Sequence, residues 1–195
     1  MVSDYAGWRR WVFDHPVAGE GERAWYFAGG EMAFDPEADA ENALLWVTRL
    51  FDEANLLPDD FSMAQIGQGL WFLIDPSGSS HMFALTNPAI PFARRAKGIA
   101  SIAALYQGLF DPKCSRATGG RKLHGICAAF WSVAPFAPMG REAAPTEQDQ
   151  AFLAVLEKIA VLENPVCRKS VLEALDFWKG AYPERTQAIR ARITG

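Results

Sequence analysis

The sequence predicts an all-α fold, because apolar residues recur at helical spacing in most segments and clear strand alternation is nearly absent. Half of the 195 residues are hydrophobic and 22% are charged, which is typical of a packed globular chain and not of a disordered one. This length suits a single core, so we expect one domain over residues 1–195. Within it we expect an irregular, aromatic-rich segment at 1–35 and a helical core at 36–195.

The N-terminal segment is where an extended structure is expected. Residues 23–34 (RAWYFAGGEMAF) place aromatic side chains around two glycines, which favours a short β-hairpin or an extended arm. The whole N-terminal segment, residues 1–35, also carries Trp8, Trp11 and Trp25. Two interpretations of these aromatic residues stay open. They cover the end of a stack of helices, or they anchor an interface with a partner.

Two helices are expected before residue 76. Asp35-Pro36 combines a capping residue with a proline suited to the first helical turn, and apolar residues at helical spacing follow it. The four residues from Ser62 to Gln65 form a capping-box pattern that opens the second helix, which Pro76 would end.

Segment 87–112 has the most regular helical pattern of the chain. Its apolar residues advance by four, three, four, three and four positions, which places them on one side of a helix. Pro91 suits the first turn, and Asp111-Pro112 is expected to stop the helix. The residues of this stripe are Phe92, Ala96, Ile99, Ala103, Tyr106 and Phe110.

The remaining elements are also predicted as helices. The apolar run 123–133 is too short to separate a helix from a buried strand by its period, and we favour a helix because its neighbours are helical. Thr146 caps a further helix, Asn164-Pro165 begins the next at once, and Pro183 begins a terminal one. Two helices joined by so short a turn predict an antiparallel hairpin.

Helix entries through Asn-Pro, at 87–88 and 164–165, make the chain resemble the helical hairpins of HEAT and armadillo proteins. The segments QIGQGLWFLID (65–75), ICAAFWSVAPF (126–136) and NPVCRKSVLEALDFW (164–178) are also similar to uncharacterised bacterial helical proteins. The resemblance implies antiparallel hairpins stacked in one domain, as a solenoid or an irregular bundle. It implies no activity.

Charge is distributed unevenly along the chain, although the net charge is only −4. Residues 1–60 hold thirteen acidic residues against four arginines, whereas residues 61–141 hold eight basic residues against two acidic ones. The main hypothesis is a non-enzymatic cytoplasmic scaffold, such as an immunity or adaptor protein, whose acidic third binds a basic protein partner. The candidate binding residues besides the three tryptophans are Glu37, Asp39, Glu41, Arg94, Arg95, Lys97, Arg121 and Lys122. Pairing of the acidic and basic segments within the chain is the other interpretation of this pattern.

Reactive side chains are few. Cys114, His124 and Cys127 are close in sequence, but zinc sites usually need a fourth ligand or a CxxC or HExxH pair, which the chain lacks here. We therefore expect no metal ion and no cofactor. His124 and Cys127 are three residues apart, and they define the alternative hypothesis of an enzyme or small-ligand protein with a pocket between helices. A further alternative is nucleic-acid binding by the basic middle segment, against which the overall negative charge argues.

The expected location is the cytoplasm. No window approaches 18 consecutive apolar residues, and the N-terminus lacks the apolar region of a secretory signal. Three cysteines are too few for the disulfide framework of a small secreted domain.

Overall fold

The structure is a computed structural model that describes residues 2–19, 21–28, 32–115, 121–137 and 146–194, with the side chain of Arg121 left out. These residues form helices and turns and contain no β-strand, so the prediction of an all-α fold is confirmed. No helix among them combines the length and the apolar character needed to cross a membrane. The α-helices are α1 (Tyr5–Phe13), α2 (Ala40–Asp52), α3 (Leu57–Asp60), α4 (Met63–Ile74), α5 (Phe92–Leu105), α6 (Asp111–Lys113), α7 (Arg121–Val133), α8 (Glu147–Ile159), α9 (Pro165–Trp178) and α10 (Pro183–Thr194).

The longer helices pack in two rows. In one row α4 packs against α1 and α7, and α7 packs against α9. In the other row α5 packs between α2 and α8, and α10 contacts both α8 and α9. The buried apolar residues of these helices belong to one core cluster, which extends from Trp8 to Ile189. Successive layers of helices thus share a continuous core, while the stacked hairpins of a repeat protein stay a prediction.

The N-terminal segment is more ordered than its sequence indicated. Asp4 caps α1 by accepting a hydrogen bond from the Gly7 amide at 2.8 Å, and the helix buries Trp8 and Phe13 in the core. A 3₁₀ turn at Trp25–Phe27 stands in the region where a β-hairpin was predicted, and the two glycines of that prediction lie outside the described residues. The prediction that 1–35 is irregular is therefore wrong for α1.

Helix α2 begins later than the Asp35-Pro36 pattern predicted. Asp35 accepts hydrogen bonds from the Glu37 and Ala38 amides at 2.9 and 3.2 Å, which closes a turn instead of a helix. The N-cap is Asp39, whose carboxylate accepts the Asn42 amide at 3.1 Å. The residues from 36 to 39 consequently form a turn before α2, in which Glu37 and Ala38 are exposed and Pro36 is buried.

Capping patterns correctly predicted the starts of three other helices. The capping box of Ser62 and Gln65 opens α4, Thr146 caps α8, and Asn164 caps α9. The ambiguous run at 123–133 is helical, as α7. Local hydrogen-bonding residues fix these boundaries, which is why the sequence alone locates them.

The long stripe of segment 87–112 does not stop at Asp111-Pro112 as predicted. After α5 the chain makes a π-helical turn at Tyr106–Phe110, and the Asp111 amide bonds to the Tyr106 carbonyl. Pro112 then lies in the short helix α6, which follows the π-helical turn directly. The helical path therefore continues to Lys113.

Asn164 also connects the start of α9 to the end of α6. Its side-chain amide donates to the carbonyls of Asp111 and Cys114, both at 3.0 Å, and its backbone amide donates to the Asp111 carboxylate at 2.7 Å. Carbonyls at a helix C-terminus lack partners within the helix, so this side chain satisfies groups that would otherwise need water.

The backbones of α4 and α7 approach each other at Gly67. A β-carbon at this position would lie 2.6 Å from the Leu123 amide nitrogen and 2.8 Å from the Lys122 carbonyl carbon. Both are backbone atoms of α7, so they cannot move aside by a change of rotamer. Glycine is thus required for this helix contact.

A buried histidine lies where α1 meets the turn before α5. The Trp8 indole donates to Nε2 of His81 at 3.1 Å, so the imidazole proton is on Nδ1 and points to the Ser79 hydroxyl at 2.9 Å. Ser79 in turn donates to the Phe72 carbonyl at 2.8 Å. Burial lowers the pKa of His81 to about 3, because a charged imidazolium would lose its hydration.

We expect Gly67→Ala to lower the free energy of unfolding by about 1–3 kcal/mol, because the added methyl group forces α4 and α7 apart. Gly125→Ala is the matched control on α7, since its β-carbon would make an ordinary contact of 3.7 Å with Trp71. That change should be neutral or stabilise by up to about 1 kcal/mol through helix propensity. Chemical denaturation followed by circular dichroism measures both, and equal effects of the two substitutions would contradict the close approach.

We also expect acid to destabilise the fold through His81. The unfolded histidine takes up a proton near pH 6.5 and the folded one only near pH 3, so protons favour the unfolded chain between these values. The contribution is present in full above pH 6.5 and falls by up to about 1.4 kcal/mol per pH unit below it. Denaturation midpoints of the wild type and His81→Gln at several pH values test this. Parallel pH dependences of the two proteins would show that His81 does not titrate on unfolding.

Candidate protein-binding surface

Four acidic residues lie along the turn before α2 and its first helical turn; we call residues 35–41 the acidic ridge. Asp35, Glu37 and Glu41 are exposed and Asp39 is half-buried. The carboxylates of Asp35 and Asp39 hold the turn and the helix start, and Glu37 accepts the Ser80 hydroxyl at 2.6 Å. These hydrogen bonds therefore hold the carboxylates of Asp35 and Asp39 in place on the surface.

An open apolar groove lies on each side of the acidic ridge. The Phe83 groove has a volume of about 330 Å³ and is lined by Pro36, Ala40, Phe83 and Pro88, among others. The Trp46 groove has a volume of about 380 Å³ and is lined by Val2, Phe34, Ala38 and Trp46, among others. Glu37 borders the first groove, whereas Asp35 and Asp39 border the second. Each groove is large enough for one or two apolar side chains of a partner, with carboxylates close by.

The exposed aromatic ring of this surface is Phe83. It lies in a 3₁₀ turn at His81–Leu85 and keeps 47% of its surface accessible, although its neighbours His81 and Met82 are buried. Because Phe83 lines the groove together with Pro36, Ala40 and Pro88, it is part of a contiguous apolar surface, and such surfaces are typical of recognition sites. No periodic pattern in the sequence distinguishes Phe83, which explains why sequence reasoning did not select it.

The three cations that begin α5 have different roles. Arg94 forms an ion pair with Glu41 at 2.9 Å, and 46% and 62% of the two side chains are exposed. Arg95 donates to the Ile90 carbonyl at 2.9 Å and bonds to Gln148. Lys97 is exposed. Two of the three cations are thus bound within the chain.

Lys122, which was predicted to bind a partner, ties the N-terminal segment to the helices. Its ammonium donates to the Ala18 carbonyl at 2.6 Å and lies 3.4 Å from the Gln68 side-chain oxygen. Gln68 also bonds to the Pro16 carbonyl and the Ala18 amide, both at 3.0 Å. Desolvation lowers the pKa of Lys122. The other predicted cation of this region, Arg121, begins α7 and its side chain lies outside the described residues.

The predicted aromatic anchors Trp8, Trp11 and Trp25 are largely used inside the fold. Trp8 is fully buried and cannot contact a partner while the chain is folded. Trp11 and Trp25 are half-buried, pack edge to face at 5.4 Å, and both contact the core ring of Phe72. His15 stacks on Trp25 at 3.8 Å. These rings cover the end of the helix row, so the first of the two interpretations fits them better.

Cys127 has no access to solvent and lines none of the grooves described above. The thiols of Cys114 and Cys167 hydrogen-bond to it and, together with burial, raise its pKa, so it stays a neutral thiol. His124 is half-buried. In the part of the chain that the structure describes, no three metal-ligating side chains are placed to share an ion. The geometry therefore gives the proposed couple of Cys127 and His124 no substrate access.

No family model matches the sequence, and no curated protein or solved structure matches it either. The interpretation of the acidic ridge and its grooves therefore depends on their geometry and charge alone.

Proposed function

We propose that this chain is a non-enzymatic helical protein that binds a basic segment of another protein at the acidic ridge. The observation that carries the proposal is the position of Asp35, Glu37 and Asp39 at the borders of two open apolar grooves, with the exposed Glu41 following in the first turn of α2. A partner segment with alternating cationic and apolar side chains would complement both features at once. Complementary charge of this kind accelerates association and selects partners, while apolar contacts supply most of the affinity.

The contacts of the basic residues favour this proposal over nucleic-acid binding. Arg94 is paired with Glu41, while Arg95 and Lys122 bond to oxygens of the chain itself. Of the five cations of segment 61–141 whose side chains the structure describes, three are thus used within the chain, and only Lys97 and Lys113 are exposed without such a contact. Phosphate binding needs several cations free to contact the nucleic-acid backbone. The acidic ridge, in contrast, keeps exposed carboxylates at Asp35 and Glu37.

An adaptor or immunity role is consistent with this surface, because such proteins neutralise or recruit a partner without chemistry of their own. The three thiols are free, which fits the reducing cytoplasm that we propose as the location. The stacked, HEAT-like arrangement of hairpins is part of the same proposal, since solenoids present extended binding surfaces.

Neutralising the ridge should weaken binding. With a fluorescent peptide that alternates arginine and leucine as the probe, we expect Glu37→Gln/Glu41→Gln to lower affinity about threefold to tenfold at low salt. The difference from wild type should shrink as salt screens the charges. Fluorescence anisotropy over a salt series measures this. The matched control is Glu163→Gln, an exposed acid in the turn between α8 and α9, which should bind like wild type. If the ridge variant also binds like wild type at every salt concentration, the proposal is wrong.

Removing the exposed ring of the Phe83 groove should weaken binding without a charge change. We expect Phe83→Ala to lower affinity for the same peptide about fivefold or more, because about half of the ring is available to a partner. Phe177→Ala is the matched control, since this ring on α9 is similarly exposed at 41% and lies away from both grooves. Equal losses from the two substitutions would count against a specific groove. The natural partner is then sought by affinity capture with the wild type and the ridge variant in parallel.

A further inference from the structure

Two cysteine thiols meet where α7 packs against α9. The sulfur of Cys127 lies 3.7 Å from that of Cys167, and both residues are fully buried. Both are free thiols in the structure. Neither thiol belongs to the acidic ridge or its grooves, so the proposed function leaves this pair unexplained.

The backbones of the two cysteines are held by a pair of buried hydroxyls. The Tyr106 hydroxyl lies 3.2 Å from the Cys127 carbonyl and 3.1 Å from the Ser170 hydroxyl, and Ser170 donates to the Cys167 carbonyl at 2.8 Å. This chain of contacts connects the cysteine of α7 to the cysteine of α9. It fixes the relative position of the two backbones, so the thiols stay adjacent.

A disulfide requires a sulfur separation of about 2.0 Å, so the two sulfurs must approach by less than 2 Å. Rotation about the Cα–Cβ bonds displaces a sulfur by this order of distance, so the proximity of the two sulfurs favours a bond between them. A metal ion is a poorer explanation of the pair, because among the described residues no third ligand completes a site.

We propose that Cys127 and Cys167 are a redox pair that peroxide converts into a disulfide between α7 and α9. Both sulfurs are buried, so the first step requires a local opening of the contact between α7 and α9 that admits hydrogen peroxide and lets one thiol ionise. The thiolate sulfur then takes the hydroxyl of the peroxide, which, together with the proton that the thiol released, gives a sulfenic acid and one water. In the second step the other thiol sulfur attacks the sulfenic sulfur, the S–S bond forms, and a second water leaves. The two cysteines lose two electrons, and peroxide is reduced to water.

The third cysteine provides a natural control. Cys114 follows α6 with 7% of its surface exposed, and its thiol contacts the Leu123 carbonyl at 3.7 Å. Its thiol is close enough to raise the pKa of Cys127, so a bond between these two is the competing product. The contacts of Tyr106 and Ser170 connect Cys127 to Cys167 and not to Cys114, which favours the pair that we propose.

The experiment treats the folded full-length chain with hydrogen peroxide, alkylates the remaining thiols in denaturant, and maps the peptides by mass spectrometry. We expect the number of reactive thiols to fall from three to one. The mapped crosslink should join Cys127 to Cys167, and dithiothreitol should restore all the thiols. Circular dichroism before and after oxidation should show the same helix content, because the bond forms within the native packing.

Alanine variants distinguish the products. Cys114→Ala should still lose both remaining thiols, whereas Cys167→Ala should form no bond between α7 and α9. Circular dichroism checks that each variant folds, and the crosslink map of the wild type decides the proposal even if one does not. A crosslink between Cys114 and Cys127, persistence of all the thiols, or a crosslink that appears only after loss of helix content would overturn the proposal.

Discussion

The close backbone contact between α4 and α7 at Gly67 is the constraint on which most of the structure depends. Since α7 also packs against α9, this contact joins the N-terminal and C-terminal parts of one helix row. It also places the ammonium of Lys122 where it donates a hydrogen bond to the Ala18 carbonyl, in the chain that follows α1. It also fixes the helix that carries Cys127. A larger residue at position 67 would therefore disturb distant features through the displacement of one helix.

In the acidic ridge, the residues that cap the turn and the helix are also residues that we propose for recognition. Asp35 and Asp39 are placed by hydrogen bonds to their own backbone, which holds these carboxylates at the borders of the Trp46 groove. Side chains fixed in this way lose little conformational entropy when a partner binds. Glu41, in contrast, forms an ion pair with Arg94 of the basic segment. The positive charge of Arg94 therefore offsets part of the negative charge of the ridge.

The boundary between what could and could not be predicted from the sequence is the boundary between local and distant interactions. The caps at Ser62 and Thr146 act within one helical turn, so their patterns located α4 and α8. The bond between Trp8 and His81 joins residues 73 positions apart, and no local pattern contains it. The distribution of charge along the sequence pointed to Glu37, Asp39 and Glu41 as candidate binding residues, whereas Asp35 was predicted only as a helix cap. The grooves beside these residues were not predicted, because a groove is formed by residues that only folding brings together.

The uneven distribution of charge along the sequence has two components in the folded chain. Part of it is internal, because Arg94 from the basic segment pairs with Glu41 from the acidic one, and because Arg95 and Lys122 bond to uncharged oxygens of the chain. An exposed ion pair of this kind contributes about 0–1 kcal/mol, so stability alone is a weak reason for so polarised a sequence. The acids that are left exposed then require another explanation. The basic protein partner that we propose is one such explanation, since a surface with carboxylates beside two apolar grooves has the two properties that such a partner needs.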